Sequence, residues 1–198
     1  MNLALNDVPL PARLRFERPM TDDELFDFCA ANEMLRVERD SNGELILMSP
    51  SGLEGDNTNV EITTDLTNWA RADGRGKSFG SNGGFTLPDG SMRSPDAAWM
   101  SWPRWKALPR REQKRFGHVT PEFVIELRSE TDRLAPLQKK MKIWIANGVE
   151  LAWLIDPERK VVEIYRAGEP AEVHQNPTSV QGTGPVRGFE LVLDRIWN

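Results

Sequence analysis

The chain reads as a mixed α/β protein in which helices pack against a central sheet. Three observations point there. Asn42-Gly43, a dipeptide that favours positive φ, joins two strand-like runs and signals a hairpin. Helical periodicity recurs over residues 54–72 and 133–146. Val149 to Ile155 is a continuous apolar run, as expected of a strand buried on both faces. Hairpin and crossover connections alternate, the order that layers helices on a mixed sheet. With 198 residues, no internal repeat and no linker, a single domain over residues 1–198 is expected.

Residues 1–20 are expected to be irregular, because prolines interrupt any helix there. Thr21 and Glu24 have capping-box spacing, so a short helix follows over about 21–32. Leu35 to Glu38 and Glu44 to Met48 form the hairpin arms. In the next helix Val60, Ile62, Leu66 and Trp69 mark the buried side, and Gly74 and Gly76 stop it. Ser78 to Gly80 and Gly84 to Leu87 are short strands, Pro88-Asp89-Gly90 is a turn, and residues 91–100 form a strand carrying Asp96. A strand at 122–127 carries Glu126. Asp132 is placed to cap the helix at 133–146, whose stripe is Leu134, Leu137, Met141, Trp144 and Ile145, with Asn147-Gly148 closing it. Strands at 149–155, 161–165 and about 172–174 follow, then a packing segment from Phe189 to Trp197.

Composition narrows the function. No apolar run approaches the roughly 18–20 residues of a membrane span, and the first 20 residues lack the pattern of a signal peptide, so the expected location is the cytoplasm. Cys29 is the only cysteine, which excludes an internal disulfide and a multi-cysteine zinc site. The net charge of −5 argues against a general nucleic-acid coat, since phosphate affinity comes from lysine and arginine. One segment is locally basic: Arg104, Lys106, Arg110, Arg111, Lys114 and Arg115 stand against Glu112 alone within 104–118. It reads either as a solvated surface or as an arm that tracks phosphates, with Arg104, Arg110, Arg111, Lys114 and Arg115 as contacts. Trp102 and Trp105 serve either the core or a homodimer contact. Glycine-rich phosphate loops and nucleophile elbows are absent, and His118 and His174 are isolated, which disfavours a small-molecule enzyme.

The chemistry concentrates in Arg93-Ser94-Pro95-Asp96-Ala97-Ala98-Trp99 and Pro121-Glu122-Phe123-Val124-Ile125-Glu126-Leu127. Each run is apolar and strand-like around one acid, Asp96 or Glu126. An unpartnered buried carboxylate is costly, and a hard divalent cation bound through one or two carboxylates relieves that cost. The competing reading pairs either acid with an arginine, such as Arg93 or Arg128, or leaves it on a solvated strand face. Phosphodiester cleavage also needs a cation to orient water and stabilise developing charge. Arg128 holds its proton too firmly to act as a base. On the helix that follows, at about 100° per residue, Lys139 points away from the apolar stripe while Lys140 and Lys142 flank it, so periodicity leaves those two tied. Gln138 lies near the stripe.

Four blocks in order, Arg93 to Ala97, Phe123 to Ser129, Leu137-Gln138-Lys139-Lys140-Met141, and Asn147-Gly148-Val149 with Trp153 to Pro157, resemble the Uma2 endonucleases, a bacterial branch of the PD-(D/E)XK superfamily. The resemblance spans about Thr21 to Trp197. It implies a restriction-endonuclease-like core, DNA as substrate, and Mg2+ (with Mn2+ as substitute) held by Asp96 and Glu126. It also breaks the lysine tie: the family's Gln-x-Lys-Met pattern falls on Gln138 and Lys140. A run that usually reads Glu-Thr-Gly-x-Arg-Asn matches Glu54 to Asn59, keeping Glu54 and Asn59 and replacing the arginine with Thr58, which makes Glu54 an outer metal or water ligand. Ser129-Glu130-Thr131-Asp132 stands where Ser-Pro-Ser-Asp is common. The alternative is a nuclease-fold protein that binds or regulates without turnover.

Overall fold

Residues 10–130 and 132–197 are described by the structure, a computed structural model; residues 1–9 of the expected irregular segment, Thr131 of the Ser129–Asp132 run and Asn198 lie outside them. The chain opens with β1 (Ala12–Leu14), α1 (Asp22–Ala31), β2 (Arg36–Arg39), β3 (Leu45–Met48), α2 (Leu53–Asp73) and β4 (Gly76–Gly80). It continues through β5 (Phe85–Thr86), β6 (Met92–Arg93), β7 (Ala97–Ser101), α3 (Trp102–Ala107), β8 (Gly117–His118) and β9 (Phe123–Leu127). Last come α4 (Leu134–Ala146), β10 (Leu151–Asp156), β11 (Val161–Tyr165), β12 (Glu172–Gln175), β13 (Ser179–Gln181) and β14 (Glu190–Val192). No helix among them is long and apolar enough to cross a membrane.

The expected central sheet is β12-β11-β10-β9-β7-β4. Within it β9 and β10 are parallel, joined by the α4 crossover, and the remaining neighbours are antiparallel. β10 is buried at every residue, which explains its unbroken apolar sequence. On one face α2 presents Ile62, Leu66 and Ala70, joined by Phe189, Leu191 and Trp197 from the C-terminal segment. On the other face α4 presents Met141 and Trp144, with Phe85 and Leu87 beside them. Strand alternation therefore decides each side chain's surroundings: residues 97, 99, 123 and 125 meet α2, whereas 98, 100 and 124 meet α4. Glu126 shares parity with Val124 and so points to the α4 side.

The hairpin belongs to a second sheet that the sequence pattern does not reveal as one, ordered β1-β3-β2-β6-β5-β8. Its strands β5, β6 and β8 are two residues long, too short for any alternation to register. Part of the segment expected to be irregular, Ala12–Leu14, pairs antiparallel with β3. Thr21 and Glu24 form the capping box that opens α1, and Gly43 takes φ 83° in the hairpin turn.

Three expectations need correction. Residues 91–100 are not one strand: β6 lies in the second sheet and β7 in the central one, with Ser94-Pro95-Asp96 as the crossing between them. Pro95 cannot donate to a ladder and restricts the residue before it, so pairing stops there. Asp132 does not cap α4. The N-cap is Arg133, while Asp132 Oδ2 accepts from the Ser129 backbone N–H at 3.0 Å and hydroxyl at 2.6 Å. Val60 is exposed, because a position two residues before Ile62 is turned about 200° around the helix from it.

Candidate active site

Asp96 and Glu126 meet because β7 and β9 are antiparallel neighbours, with Ala97 opposite Ile125. That register sets Asp96, just before β7, beside the end of β9, where its Oδ2 accepts the Leu127 backbone N–H at 2.8 Å. Its other oxygen, Oδ1, accepts from Arg36 Nη2 at 3.0 Å and Asn59 Nδ2 at 3.3 Å. Glu126, 2% exposed, accepts the Trp144 indole N–H at 2.8 Å on Oε1. Lys140 Nζ stands 2.8 Å from Oε1 and 2.9 Å from Oε2 of the same carboxylate. Of the three α4 lysines, Lys140 is thus the one at the acids; Lys139 and Lys142 are exposed.

A third carboxylate closes the pocket from the second sheet. Glu38 on β2 is 2% exposed and accepts Lys140 Nζ at 2.7 Å, Arg93 Nη1 at 2.8 Å and the Ser94 N–H at 3.2 Å. Ser94 O accepts from Lys140 at 3.2 Å, so the ammonium is held by two carboxylates and a carbonyl. The sheet crossing at Ser94-Pro95 is what brings Glu38 and Glu126, from two different sheets, to one lysine. The arginine that pairs with a predicted acid is Arg36, at Asp96, and not the two neighbours in sequence: Arg93 pairs with Glu38, and Arg128 with Asp156 at 2.9 Å.

Three acids against Lys140, Arg36 and Arg93 balance in formal charge, yet their positions are unequal. Burial pushes Glu126 up to about 7, helped by Asp96 and Glu38 and opposed by Lys140. Burial also penalises Glu38, but Lys140 and Arg93 together hold it below the ordinary carboxylate range. For Lys140, burial is outweighed by Glu126, Glu38 and Asp96, so its proton is held more tightly than usual. The lysine is therefore a charged donor rather than a base in this arrangement.

Gln138 goes elsewhere. It lies two residues before Lys140, about 200° around α4, so the two flank the stripe on opposite sides. Leu154 of β10 is opposite both Glu126 and Glu163, and Gln138 Nε2 bonds the oxygens of Glu163 on β11 at 2.9 and 3.1 Å. Glu54 is exposed in the first turn of α2; the residue of that run at the acids is Asn59. Much of the basic segment is engaged within the chain. Arg104 bonds Thr120 O, Glu122 and Glu150, Arg111 and Arg115 pair with Asp23 of α1, and Arg110 bonds Gln113. Lys114 falls in the short 3-10 turn Glu112–Lys114. Trp105 packs against Phe79, and Trp102 Nε1 donates to Gly74 O, so both tryptophans have partners in their own chain.

The donor set suits a hard divalent ion. Asn59 Oδ1 is buried beside Asp96 with no hydrogen-bond partner, an oxygen left over where two carboxylates converge. No group of three or more His, Cys, Asp or Glu side chains is arranged for a metal among the described residues. Two carboxylates with neutral oxygens and water nevertheless meet the ordinary requirement of Mg2+.

A family model described as "Putative restriction endonuclease", Uma2, matches residues 22–194. The chain belongs to the Uma2 family. A solved structure described as a "putative nuclease belonging to DUF820" from Anabaena variabilis ATCC 29413 superposes with TM-score 0.72 at 20% identity, covering 90% of this Uma2 chain and 98% of that one. The fold is therefore shared with that protein, and the restriction-endonuclease-like core expected of the sequence is observed. A DrdV–DNA complex overlaps 58% of this chain and 9% of its own at 15% identity, with TM-score 0.38. No curated protein matches. Every site group named above lies inside the span matched by the Uma2 model. Glu38 and Arg36 were missed in the sequence because Arg36-Val37-Glu38-Arg39 reads as an ordinary alternating hairpin arm.

Proposed function

We propose that this Uma2 protein is a divalent-metal-dependent endonuclease that hydrolyses phosphodiester bonds in DNA. The observation carrying the reading is the convergence of Asp96, Glu126 and Lys140, from two neighbouring strands and the helix after them, in one buried cluster. Asp96 and Glu126 would hold Mg2+ or Mn2+, with Asn59 Oδ1 beside them. When bound, such an ion polarises a phosphoryl oxygen and acidifies water.

The chain's own groups have separable tasks. With one of its three N–H groups released from its present acceptors, Lys140 would donate to the attacking water or to charge that develops on the phosphoryl oxygens. Glu38 positions Lys140: it holds the ammonium at 2.7 Å while Glu126 holds it at 2.8 Å. Trp144 orients Glu126 through its indole N–H. Arg36 steadies Asp96.

A second reading, DNA binding without turnover, is favoured by one observation: both acids are already engaged by cations, Asp96 by Arg36 and Glu126 by Lys140. Plasmid and oligonucleotide cleavage in Mg2+ and Mn2+, beside Glu126→Ala and Lys140→Ala, separates the two. Metal-dependent cleavage lost in both variants supports the nuclease. Absence of cleavage by the wild type, with DNA still bound, supports the second reading. A homodimer is the assembly we propose, and light scattering of the purified protein tests it.

A further inference from the structure

Strand alternation puts Arg36 and Glu38, two residues apart on β2, on one face of that strand. Both reach the acid cluster: Glu38 pairs with Lys140, and Arg36 pairs with Asp96. The three cations of the cluster are held unequally. The Lys140 side chain is 13% exposed, and its ammonium is taken up by Glu38, Glu126 and Ser94 O. Arg93 is 7% exposed and bonds the buried Glu38. Arg36 is 28% exposed, and its one hydrogen bond among the described residues runs from Nη2 to Asp96 Oδ1. A guanidinium carries five N–H donors in a rigid fork. No nitrogen of Arg36 is among the buried polar atoms that lack a partner, so its unused donors reach solvent. Of the three cations, Arg36 is the one free to leave.

The oxygen that Arg36 occupies is one that a divalent ion needs. Each carboxylate oxygen offers about two lone-pair positions. On Asp96 Oδ1 both are filled, by Arg36 at 3.0 Å and by Asn59 at 3.3 Å. An ion bonded to that oxygen would face a guanidinium in contact with the same atom, and like charges so close repel strongly away from bulk water. All three acids attract Arg36, Asp96 foremost, so its charge also weakens their pull on a second cation. Asp96 does not depend on Arg36 alone. With the arginine turned away, its carboxylate keeps the Asn59 amide and the Leu127 N–H. The cluster would then set three acids against Lys140 and Arg93, a deficit of positive charge that a divalent ion fills.

We propose that Arg36 is a removable counter-ion, which blocks the divalent-ion position at Asp96 in the metal-free protein and turns to a DNA phosphate once the ion is bound; this rests on the nuclease reading. The fork geometry of a guanidinium matches a phosphate group through paired N–H donors. Arg36 therefore couples the two ligands. It opposes the ion when no DNA is present, and the phosphate removes that opposition by giving the arginine another partner. Linkage makes the effect mutual, so the ion tightens DNA as much as DNA tightens the ion. Engagement of Asp96 by a cation, which favours binding without turnover, is on this account the resting state of an active site.

The first test is titration of the full chain with Mn2+ in the absence of DNA, followed by the electron paramagnetic resonance signal of the free ion. Arg36→Gln is expected to tighten Mn2+ roughly tenfold, because a like charge is taken from beside the ion. Arg36→Lys keeps the charge and should stay within about threefold of wild type, which guards against a packing defect in the glutamine variant. Lys142→Gln removes an exposed cation that does not touch the acids and should shift the affinity by less than about twofold. The second test is fluorescence anisotropy of a labelled duplex in EDTA and in Ca2+, with the duplex shown intact by gel. Arg36→Gln should weaken duplex binding roughly fivefold in Ca2+, where a phosphate contact is lost, and by less than about twofold in EDTA. Unchanged or weaker Mn2+ binding by Arg36→Gln overturns the inference, as does equal tightening by Lys142→Gln. A loss of duplex affinity that is the same in EDTA and in Ca2+ also overturns it. If the wild type cleaves DNA while Arg36→Gln binds Mn2+ no more tightly, the counter-ion falls and the nuclease reading stands. If Arg36→Gln gains Mn2+ while the wild type neither binds the ion nor cleaves, the counter-ion stands and the nuclease reading falls.

Discussion

Replacing Glu126 with glutamine should make the metal-free protein more stable at pH 8 while removing its metal site. Burial and two neighbouring carboxylates raise the Glu126 carboxyl from 4.5 to about 7. At ~1.4 kcal/mol per unit, ionising it in the folded protein costs about 3 kcal/mol relative to the unfolded chain. Glutamine keeps the shape and can still accept the Trp144 N–H, but its amide faces Lys140, which then relies on Glu38 at 2.7 Å. Removing that charged hydrogen bond costs about 1.5–3 kcal/mol. The net expectation at pH 8 is a gain of up to about 1.5 kcal/mol, or up to about 6 °C for a chain of this size. The sign reverses in acid. Between 4.5 and about 7 the unfolded chain binds fewer protons at this group than the folded one, so wild-type stability falls as pH rises through that window. Near pH 5 the glutamine variant should therefore be the less stable, by about 1–2 kcal/mol. Urea denaturation of both proteins in EDTA at the two pH values measures the difference. A variant equally destabilised at pH 5 and pH 8 would refute the claim that Glu126 carries its charge at a cost.

The remaining expectations concern its neighbours. Glu38→Ala leaves Arg93 without its buried carboxylate and Lys140 with Glu126 alone, and should cost about 3–5 kcal/mol, read as a lowered urea midpoint, with cleavage abolished. Trp144→Phe removes a hydrogen bond to a charged group and should cost about 1.5–3 kcal/mol, read by the same denaturation. Lys139→Ala and Lys142→Ala should leave cleavage within twofold of wild type, because both side chains are exposed; a defect equal to that of Lys140→Ala would contradict the helix geometry. Burial pushes the Cys29 thiol up to about 11, so iodoacetamide at pH 8 should label the native protein far more slowly than the urea-unfolded one, followed by mass spectrometry.

How much of this was legible in the sequence depends on the range of the signal. β9, β10 and α4 are readable because their apolar patterns are long and each is bounded by turn residues. Asp96 and Glu126 stand out as single acids in such patterns. Lys140 was narrowed to one of two by periodicity and singled out by the family resemblance. Glu38 was not readable: its partner Lys140 is about a hundred positions away, and a glutamate in an alternating hairpin arm is ordinarily solvated. Pro95 did carry the signal for the sheet crossing, but the apolar run from Ala97 to Met100 behind it obscured it. Asp132 shows the limit of capping rules, since its carboxylate serves Ser129 rather than the helix. The second sheet is held by two-residue strands whose pairing is tertiary in origin.

The most direct measurement is cleavage of supercoiled plasmid by the wild type in Mg2+, compared with EDTA and with Asp96→Ala and Lys140→Ala. Nicked or linear product should accumulate with Mg2+, vanish in EDTA, and form about 10²–10³ times more slowly in each variant, the usual cost of removing one group that stabilises developing charge. Intact plasmid in both Mg2+ and Mn2+, or cleavage that survives both substitutions, would contradict an active site built on Asp96, Glu126 and Lys140.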